Sequence, residues 1–498
     1  MMVLPALLLP ILLGSALVSL LWDREQSAPS PLLLKGSLSV GLGFGLTSVL
    51  YFLWILIAGR YSGGFILLES GMLLILAGIY FLTRPKTERF RFRRSDVSPG
   101  TTPPRWIFVL SFYGILALSL LAFLYLSLNR PHGGWDAWAM WNMRARFLFR
   151  GGDHWKAVFS VLGELHPDYP FLVPGVVARA WSYLGSDPVA VPSIAALGFT
   201  LATVFLLVSS LRILRGGAQG YVAGVVLLGA SVIVRHGASQ YADVYIGFYF
   251  LASLVLASLA IDGAKESRGL TILAGTAAAL ASWTKNEGIL FLSIFLVSGT
   301  LICVMIDGAK AGLSRLALLA AGALPVAALV VFFKLGLSPP TDILAEQQGG
   351  AIIARLLDIS RYATVAKAFF VEIAWKFLLP VVAVYLLLLG VDRARARGKG
   401  FLVSVATLLA MFVGYFLVYV TTSKPLEWHL RFSLDRVLMQ LWPSFLFSFF
   451  LLVRVPESLL VAGVPAVATG MPRGNRRRKE RHPKRGKEPP AGGKGRTR

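Results

Sequence analysis

The chain has 498 residues, of which 56% are hydrophobic and only 15% are charged. A soluble domain of this composition would expose large apolar patches, so the composition excludes an ordinary soluble protein and predicts that most of the chain lies in lipid. Backbone polar groups in lipid must be paired within their own segment, and the apolar runs lack the alternation of barrel strands. We therefore expect an all-α polytopic membrane protein.

Much of the formal net charge of +24 lies near the C-terminus, in residues 473–498. This stretch is rich in Gly, Pro and charged residues and has no apolar periodicity, so we expect residues 457–498 to form a basic, disordered tail at the cytoplasmic membrane surface. A tail that binds RNA is the alternative, but the topology anchor is favoured and no nucleic-acid partner is expected. Cys303, the one cysteine, lies inside an apolar run, which predicts a core residue without a disulfide.

Apolar runs of about 20 residues, each long enough to cross a hydrocarbon core of about 30 Å, recur along most of the chain. The first run has no positive segment before it and no small-residue cleavage site after it, so we expect a helix and not a removed signal peptide. About thirteen spans are predicted, near residues 3–21, 37–58, 65–83, 106–128, 188–210, 221–235, 244–261, 270–283, 289–306, 316–335, 373–390, 401–420 and 437–454.

These spans divide the chain into five regions, which are three N-terminal helices (1–83), a basic cytoplasmic loop (84–105), a transmembrane core (106–335) with a large extracytoplasmic loop (129–187), C-terminal helices with further extracytoplasmic loops (336–456), and the tail (457–498). Lys and Arg in short connections set the orientation, because such residues collect on the cytoplasmic side. The basic connections alternate with the others. They contain Arg84 to Arg94, Arg212 and Arg215, Lys265 and Arg268, Lys310 and Arg315, and Arg393 to Lys399.

The remaining connections, on the extracytoplasmic side, hold nearly every unusual polar cluster. They contain WDAW and HPDYP in the large loop, HGASQYAD at 236–243, WTKNEG at 283–288, the segment 336–372, and KPLEWHLRFSLDR at 424–436. We therefore expect acidic and basic side chains from separate loops to meet at one membrane face.

Asp136 opens a segment of the large loop in which one helical face carries Trp138, Trp141, Ala145, Leu148 and Phe149. A Trp-rich amphipathic helix suits the headgroup layer, where it lies in the plane of the membrane. Asp136 is a candidate base for catalysis, but a residue at this position could also cap the helix or be solvated. The sequence leaves these alternatives open.

The HPDYP corner places His166, Asp168 and Tyr169 between two prolines that fix the backbone. His and Asp two residues apart could bind a metal, but no further cluster at ligand spacing accompanies them. We therefore favour a turn that contacts substrate and expect no metal site. Asp243 begins a later span, and it is either the N-cap of that span, which is slightly favoured, or a further binding residue.

Five more candidates for substrate binding lie at span ends. Lys285 and Glu287 occupy a short connection, where snorkelling of the lysine to the interface is the alternative to a binding role. His429, Arg431 and Arg436 are the better candidates for binding an anion, since arginine offers a forked donor that suits phosphate oxygens.

With the Asp136 loop, the DYP corner, the YAD and TKNEG loops and the WHLRFSLDR segment in this order, the chain resembles the GT-C superfamily of polytopic glycosyltransferases. It is similar in particular to bacterial enzymes of the protein O-mannosyltransferase and lipid A aminoarabinose transferase type, a glycosyltransferase family 39-like group. The resemblance covers about residues 106–454. It implies that Asp136 is the base, that the donor is a sugar linked to polyprenyl phosphate, and that Lys285, His429, Arg431 and Arg436 hold the lipid phosphate.

The chain also departs from familiar members of that superfamily. It has a single acidic residue at Asp136 where some members have an adjacent pair, three extra spans ahead of the matching region, and no large soluble C-terminal domain in the given sequence. These departures favour the transfer of a single sugar over the transfer of an oligosaccharide.

The expected function is therefore the transfer of a hexosyl or pentosyl group from a polyprenyl-phosphate donor to an acceptor hydroxyl on a protein, lipid or glycan. The resemblance implies an inverting single displacement outside the bacterial cytoplasmic (inner) membrane, without a required cofactor. A transporter or flippase of a lipid-linked saccharide is the alternative, since Lys334, Glu69 and Arg235 lie near apolar runs, but no internal repeat is evident. A non-catalytic membrane scaffold is a third possibility.

Overall fold

The computed structural model describes residues 2–22, 32–83, 106–162, 165–262, 267–340 and 349–456. The predicted basic loop 84–105, Lys265 and the tail 457–498 lie outside these ranges. Within them the chain is helical and forms no β-strand, which confirms the all-α prediction.

The helices, numbered in chain order, are α1 (Val3–Leu21), α2 (Leu32–Ala58), α3 (Gly64–Thr83), α4 (Trp106–Asn129), α5 (Asn142–Arg150), α6 (Val158–Val161), α7 (Leu172–Leu184), α8 (Ala190–Leu214), α9 (Gly217–Gly229), α10 (Ser231–Ala238), α11 (Ala242–Ile261), α12 (Arg268–Thr284), α13 (Asn286–Asp307), α14 (Ala309–Gly336), α15 (Gly349–Leu357), α16 (Ile359–Lys376), α17 (Leu379–Leu389), α18 (Lys399–Thr421) and α19 (Leu426–Leu452).

Nine helices in the described ranges are long and apolar enough to cross a membrane, namely α1, α2, α3, α4, α8, α11, α13, α14 and α18. Two further pairs pass the same test only when joined, and both are bent: α9 with α10 by 62° and α16 with α17 by 73°. The described residues therefore contain nine to eleven candidate spans. The multi-pass membrane prediction is confirmed, whereas the count of thirteen is not.

The difference in count has physical causes. The predicted span 270–283 is α12, whose 17 residues reach only about 26 Å. The predicted span 437–454 belongs to the longer α19, whose first three turns carry Glu427, Arg431, Asp435 and Arg436. The predicted span 373–390 breaks at Leu378, which adopts a left-handed φ of 54°.

The long helix α11 defines two ends of the helical bundle. Asp243 lies in its first turn and Asp262 directly follows its last residue, which puts the two carboxylates about 30 Å apart. We call the Asp262 end the basic end, because connections predicted to be cytoplasmic gather there. Its contacts are Gly400 N to Asp262 (3.2 Å), Arg215 to Asp392 (3.0 Å) and Lys399 to Asp307 (2.5 Å). The opposite, Asp243 end is called the site end.

The three N-terminal helices pack into the bundle and are not an appendage. A Cβ atom on Gly14 of α1 would lie only 2.1 Å from the carbonyl oxygen of Ser39 in α2, so the glycine allows the two backbones to touch. Glu69 of α3 is fully buried and pairs with Arg179 of α7 at 2.6 Å. This buried ion pair fastens α3, which is otherwise largely exposed, to the bundle.

The segment after Asp136 differs from the predicted amphipathic helix. It folds as one π-helical turn, Ala137–Trp141, followed by α5. The wider turn shifts the residues before it relative to those after it, so Trp138 is exposed whereas Trp141 and Ala145 are buried within the protein. The predicted single Trp-bearing face is therefore wrong. Trp138 faces outward, as aromatic residues of the headgroup layer do.

Candidate functional site

The most buried part of the site end is an ion pair between two neighbouring helix ends. Lys285, between α12 and α13, places its Nζ 2.9 Å from Asp243 Oδ1 and 2.9 Å from Glu287 Oε1. Burial alone would lower the pKa of Lys285, but the charges of Asp243 and Glu287 outweigh burial and raise it. Lys285 is therefore a fixed cation and does not snorkel to water. Asp243, likewise, is held by charge, and Tyr241 takes the N-cap position of α11.

Gln440 of α19 completes the surroundings of this pair. Its Nε2 donates to Asp243 Oδ1 at 2.6 Å, and its Oε1 accepts a hydrogen bond from the hydroxyl of Tyr415 in α18 at 2.6 Å. Both polar atoms of this side chain are thus hydrogen-bonded, and the bond to Tyr415 fixes the amide that contacts Asp243. Buried polar networks are stable only when they are satisfied in this way.

Arg436 connects the buried pair to Asp136. Its Nη2 lies 2.5 Å from Asp136 Oδ2, its Nε lies 3.4 Å from Asp243 Oδ2, and its guanidinium stands 4.8 Å from the centre of the Tyr241 ring. Asp136 makes no side-chain capping bond to the turn that follows it. The structure therefore places the Asp136 carboxylate in an ion pair, where capping or solvation had been the alternatives.

The position of Asp136 follows from hydrogen bonds between two loops. Gly134 N donates to the carbonyl oxygen of Ser239 at 2.9 Å, and Gln240 Nε2 donates to the carbonyl oxygen of Pro131 at 3.0 Å. The loop before α11 is thereby tied to the turn before Asp136. Asp136 and the first turn of α11 can then share one arginine.

The backbone of the HPDYP corner is held by Arg144 of α5. This buried guanidinium donates to the carbonyl oxygens of Tyr169 at 3.0 Å, of Leu165 at 3.2 Å and of His166. Burial lowers the pKa of Arg144 to about 10, so the side chain is still charged at neutral pH. A buried cation that satisfies three backbone carbonyls fixes the path of this corner.

Asp168 ties the same corner to two long helices. Its carboxylate accepts a hydrogen bond from Asn286 Nδ2 at 2.6 Å and lies 3.1 Å from Nζ of Lys334, at the end of α14. Lys334 also donates to Asn286 Oδ1 at 2.6 Å. Lys334, which the transporter alternative had singled out, is thus engaged at the site end.

The Tyr169 ring lies between the HPDYP corner and the buried Lys285 ion pair. Its ring stacks on Trp141 with centroids 5.8 Å apart and on His166 with centroids 5.0 Å apart, and Nζ of Lys285 lies 5.6 Å from it. His166 has a left-handed φ of 50°, which is costly for a residue with a side chain. Such strain is a recurrent feature of functional sites.

Two predicted anion ligands lie outside this network. A hydrogen bond of 2.9 Å joins His429 to Thr422, and the imidazole packs on Tyr419. Burial, with the charges of His166 and Lys424, lowers the pKa of His429 to about 4. It is therefore neutral at pH 7 and is not a cation for phosphate. Arg431 is exposed, with its guanidinium 5.7 Å from the Phe432 ring.

The structure thus unites most of the predicted site residues and adds four others. Asp136, Asp168, Tyr169, Asp243, Lys285, Glu287 and Arg436 form one connected network, which we call the site network, with His166 stacked at its edge. No role was predicted for Arg144, Asn286 or Gln440 from the sequence, and Lys334 was assigned to the alternative. The spacing of Gln440 four residues after Arg436 is a signal that could have found it, because these positions share a helical face.

The site network combines carboxylates, fixed cations and aromatic rings at one end of the bundle. Such a set can accept a proton and can stabilise an anion. In the described part of the chain, no group of three or more His, Cys, Asp and Glu side chains has a geometry suited to holding a metal ion. Comparison of the chain with family models, with curated proteins and with solved structures finds no match.

Proposed function

We propose that this chain is a membrane glycosyltransferase that moves one sugar from a polyprenyl-phosphate donor to an acceptor hydroxyl. The observation that carries the proposal is the meeting of Asp136 with Arg436 and Lys285, through Asp243, at the site end. These residues come from separate parts of the sequence. A nearly buried carboxylate beside fixed cations suits a reaction in which a proton leaves one reactant and negative charge develops on another.

In the proposed reaction, Asp136 accepts the proton of the acceptor hydroxyl as the hydroxyl oxygen attacks the anomeric carbon. The bond from that carbon to the phosphate oxygen breaks, and polyprenyl phosphate leaves with the electron pair. Arg436 contacts the phosphate, and the buried Lys285 adds positive charge behind Asp243, because fixed cations in a site of low dielectric constant act strongly on developing charge. A single displacement inverts the configuration at the anomeric carbon. The acceptor is a protein, a lipid or a glycan.

The membrane arrangement belongs to the same proposal. All thirteen predicted segments would cross the bacterial cytoplasmic membrane or cover its outer face, with the basic end in the cytoplasm and the site end outside. The amphipathic helices α15 and α16 expose Ile353, Phe370 and Trp375, which suits a position in the headgroup layer. The likeness to GT-C glycosyltransferases, which rests on sequence motifs alone, adds to this support.

Transport of a lipid-linked saccharide is the second candidate, and one observation favours it. The two bent helix pairs have their breaks close together, since a Cβ atom on Gly229 would lie 3.2 Å from a methyl carbon of Leu378. Broken helices commonly form substrate sites in transporters. The enzyme is preferred because the charged side chains of the site network gather at one end of the bundle, whereas a transport path needs them along its length.

Reconstituted protein given radiolabelled polyprenyl-phosphate sugars and a mixture of envelope acceptors tests the proposal. The glycosyltransferase predicts covalent transfer of label to an acceptor and the release of polyprenyl phosphate. Movement of label across the bilayer without cleavage of the sugar–phosphate bond would support the transporter and contradict the enzyme.

A further inference from the structure

In the described residues, each of the ion-paired cations at the site already has a carboxylate partner before any substrate arrives. Arg436 pairs with Asp136 and Asp243, Lys285 pairs with Asp243 and Glu287, and Lys334 pairs with Asp168. The remaining cation, Arg144, is held by backbone carbonyl oxygens. A phosphate that reaches Arg436, Lys285 or Lys334 therefore meets a cation that is already paired. Because an uncompensated anion is costly at a buried position, binding requires that a cation exchange one of its carboxylates for the phosphate.

The exposure of the side chains indicates which carboxylate gives way. Asp243 and Lys285 are 0% and 3% exposed, and Asp168, beneath Lys334, is 2% exposed. The pair of Asp136 and Arg436 retains 13% and 19% exposure. Arg436 would also keep its contact with Asp243 if Asp136 moved away. Glu287 is 19% exposed, but its partner Lys285 is only 3% exposed, so a ligand that displaced Glu287 would still have to reach a buried cation. The Asp136–Arg436 pair is thus the contact of the network in which both the carboxylate and the cation are accessible, and it can open at the lowest cost.

We propose that the phosphate of the lipid donor takes the place of Asp136 on Arg436, so that donor binding itself releases the catalytic carboxylate. This inference rests on the proposed function and adds its regulation. No covalent bond changes in the exchange, since one anion replaces another on the same guanidinium. Before the donor binds, the Asp136 carboxylate is held in its ion pair with Arg436. After the donor binds, Asp136 is free to accept the acceptor proton.

The exchange has an unusual consequence for variants of Asp136. If the carboxylate competes with the phosphate for Arg436, then removing its charge strengthens phosphate binding while it removes the base. Asp136→Asn and Asp136→Ala should each bind a polyprenyl phosphate without sugar about tenfold more tightly than the wild type does, since competing charge pairs at interfaces are commonly worth this much or more.

Asp187→Asn is the matched control. Asp187 also lies near the site end, is 17% exposed and pairs with two arginines, Arg150 at 2.5 Å and Arg146 at 3.2 Å. Affinity of each purified, monodisperse variant for the polyprenyl phosphate is measured in lipid nanodiscs. Tighter binding by both Asp136 variants and unchanged binding by the control supports the exchange. Unchanged or weaker binding by the Asp136 variants overturns it.

A measurement on the wild type keeps the inference testable if the variants fail to fold. Carbodiimide labelling of the Asp136 carboxylate, followed by mass spectrometry, should become several-fold faster when the polyprenyl phosphate without sugar is added, because the carboxylate loses its partner. Slower or unchanged labelling overturns the exchange. Neither measurement requires sugar transfer, so a failure of the exchange is distinguishable from a failure of the proposed enzyme activity.

Discussion

Replacing Lys285 with methionine tests the buried part of the site network. Methionine keeps the length and apolar stem of the side chain but removes the charge that lies 2.9 Å from both Asp243 and Glu287. Breaking a buried ion pair by removing one partner costs about 3–5 kcal/mol, because the remaining charge is left uncompensated. Asp243 would keep Gln440 at 2.6 Å and Arg436 at 3.4 Å. We therefore expect a loss near the lower end, about 3 kcal/mol in the free energy of unfolding.

The assay is reversible unfolding of the purified protein in mixed micelles by a denaturing detergent. The double variant Asp243→Asn, Lys285→Met should be more stable than Lys285→Met alone, since it no longer buries the Asp243 carboxylate without its lysine partner. The exposed Lys156→Met is the control and should change stability by less than about 0.5 kcal/mol. A loss below about 1 kcal/mol for Lys285→Met, or a double variant less stable than Lys285→Met alone, would refute the reasoning.

Three further predictions concern the supporting residues. The pKa of His429 is lowered from 6.5 to about 4, so on acidification the unfolded chain binds this proton before the folded protein does. The free energy of unfolding therefore falls as the pH drops from about 7 to 4. In thermal unfolding, His429→Asn should reduce this fall by up to about 3 kcal/mol, whereas the exposed control His154→Asn should leave it unchanged. Arg179→Leu should cost about 3–5 kcal/mol because it leaves Glu69 buried and unpaired, and the double variant Arg179→Leu, Glu69→Leu should recover most of that loss; equal stability of the two would contradict the account. His166→Gly removes the strain of a left-handed φ, so it should change the free energy of unfolding by no more than about 1 kcal/mol. The same variant should lower the rate of sugar transfer. An unchanged rate would mean that His166 has a purely local role.

The sequence predicted the helices well because an apolar run is a local property. The predicted span 65–83 is α3, Gly64–Thr83, and the predicted span 244–261 is α11, Ala242–Ile261. The gathering of polar clusters at one end followed from the same information, since alternating connections must alternate in side. The break at Leu378 also had a local signal in Pro380, because proline is favoured in the first turn of a helix and disrupts a helix interior.

The pairing within the site was beyond the reach of sequence patterns. Asp136 and Arg436 are 300 positions apart, and no periodicity links an aspartate in a loop to an arginine on a distant helix. The orientation of Arg431 and Arg436 depends on how α19 is rotated, which tertiary packing decides. Whether His429 is charged depends on its burial, so its assignment as an anion ligand could not be judged before the fold was known.

The proposal that Asp136 is the base of a sugar transfer is tested most directly by single-turnover kinetics with saturating polyprenyl-phosphate sugar. The account predicts that Asp136→Asn lowers the rate of transfer by about 10² or more while the donor still binds at least as tightly as it does to the wild type. Transfer by Asp136→Asn at the wild-type rate would contradict the account.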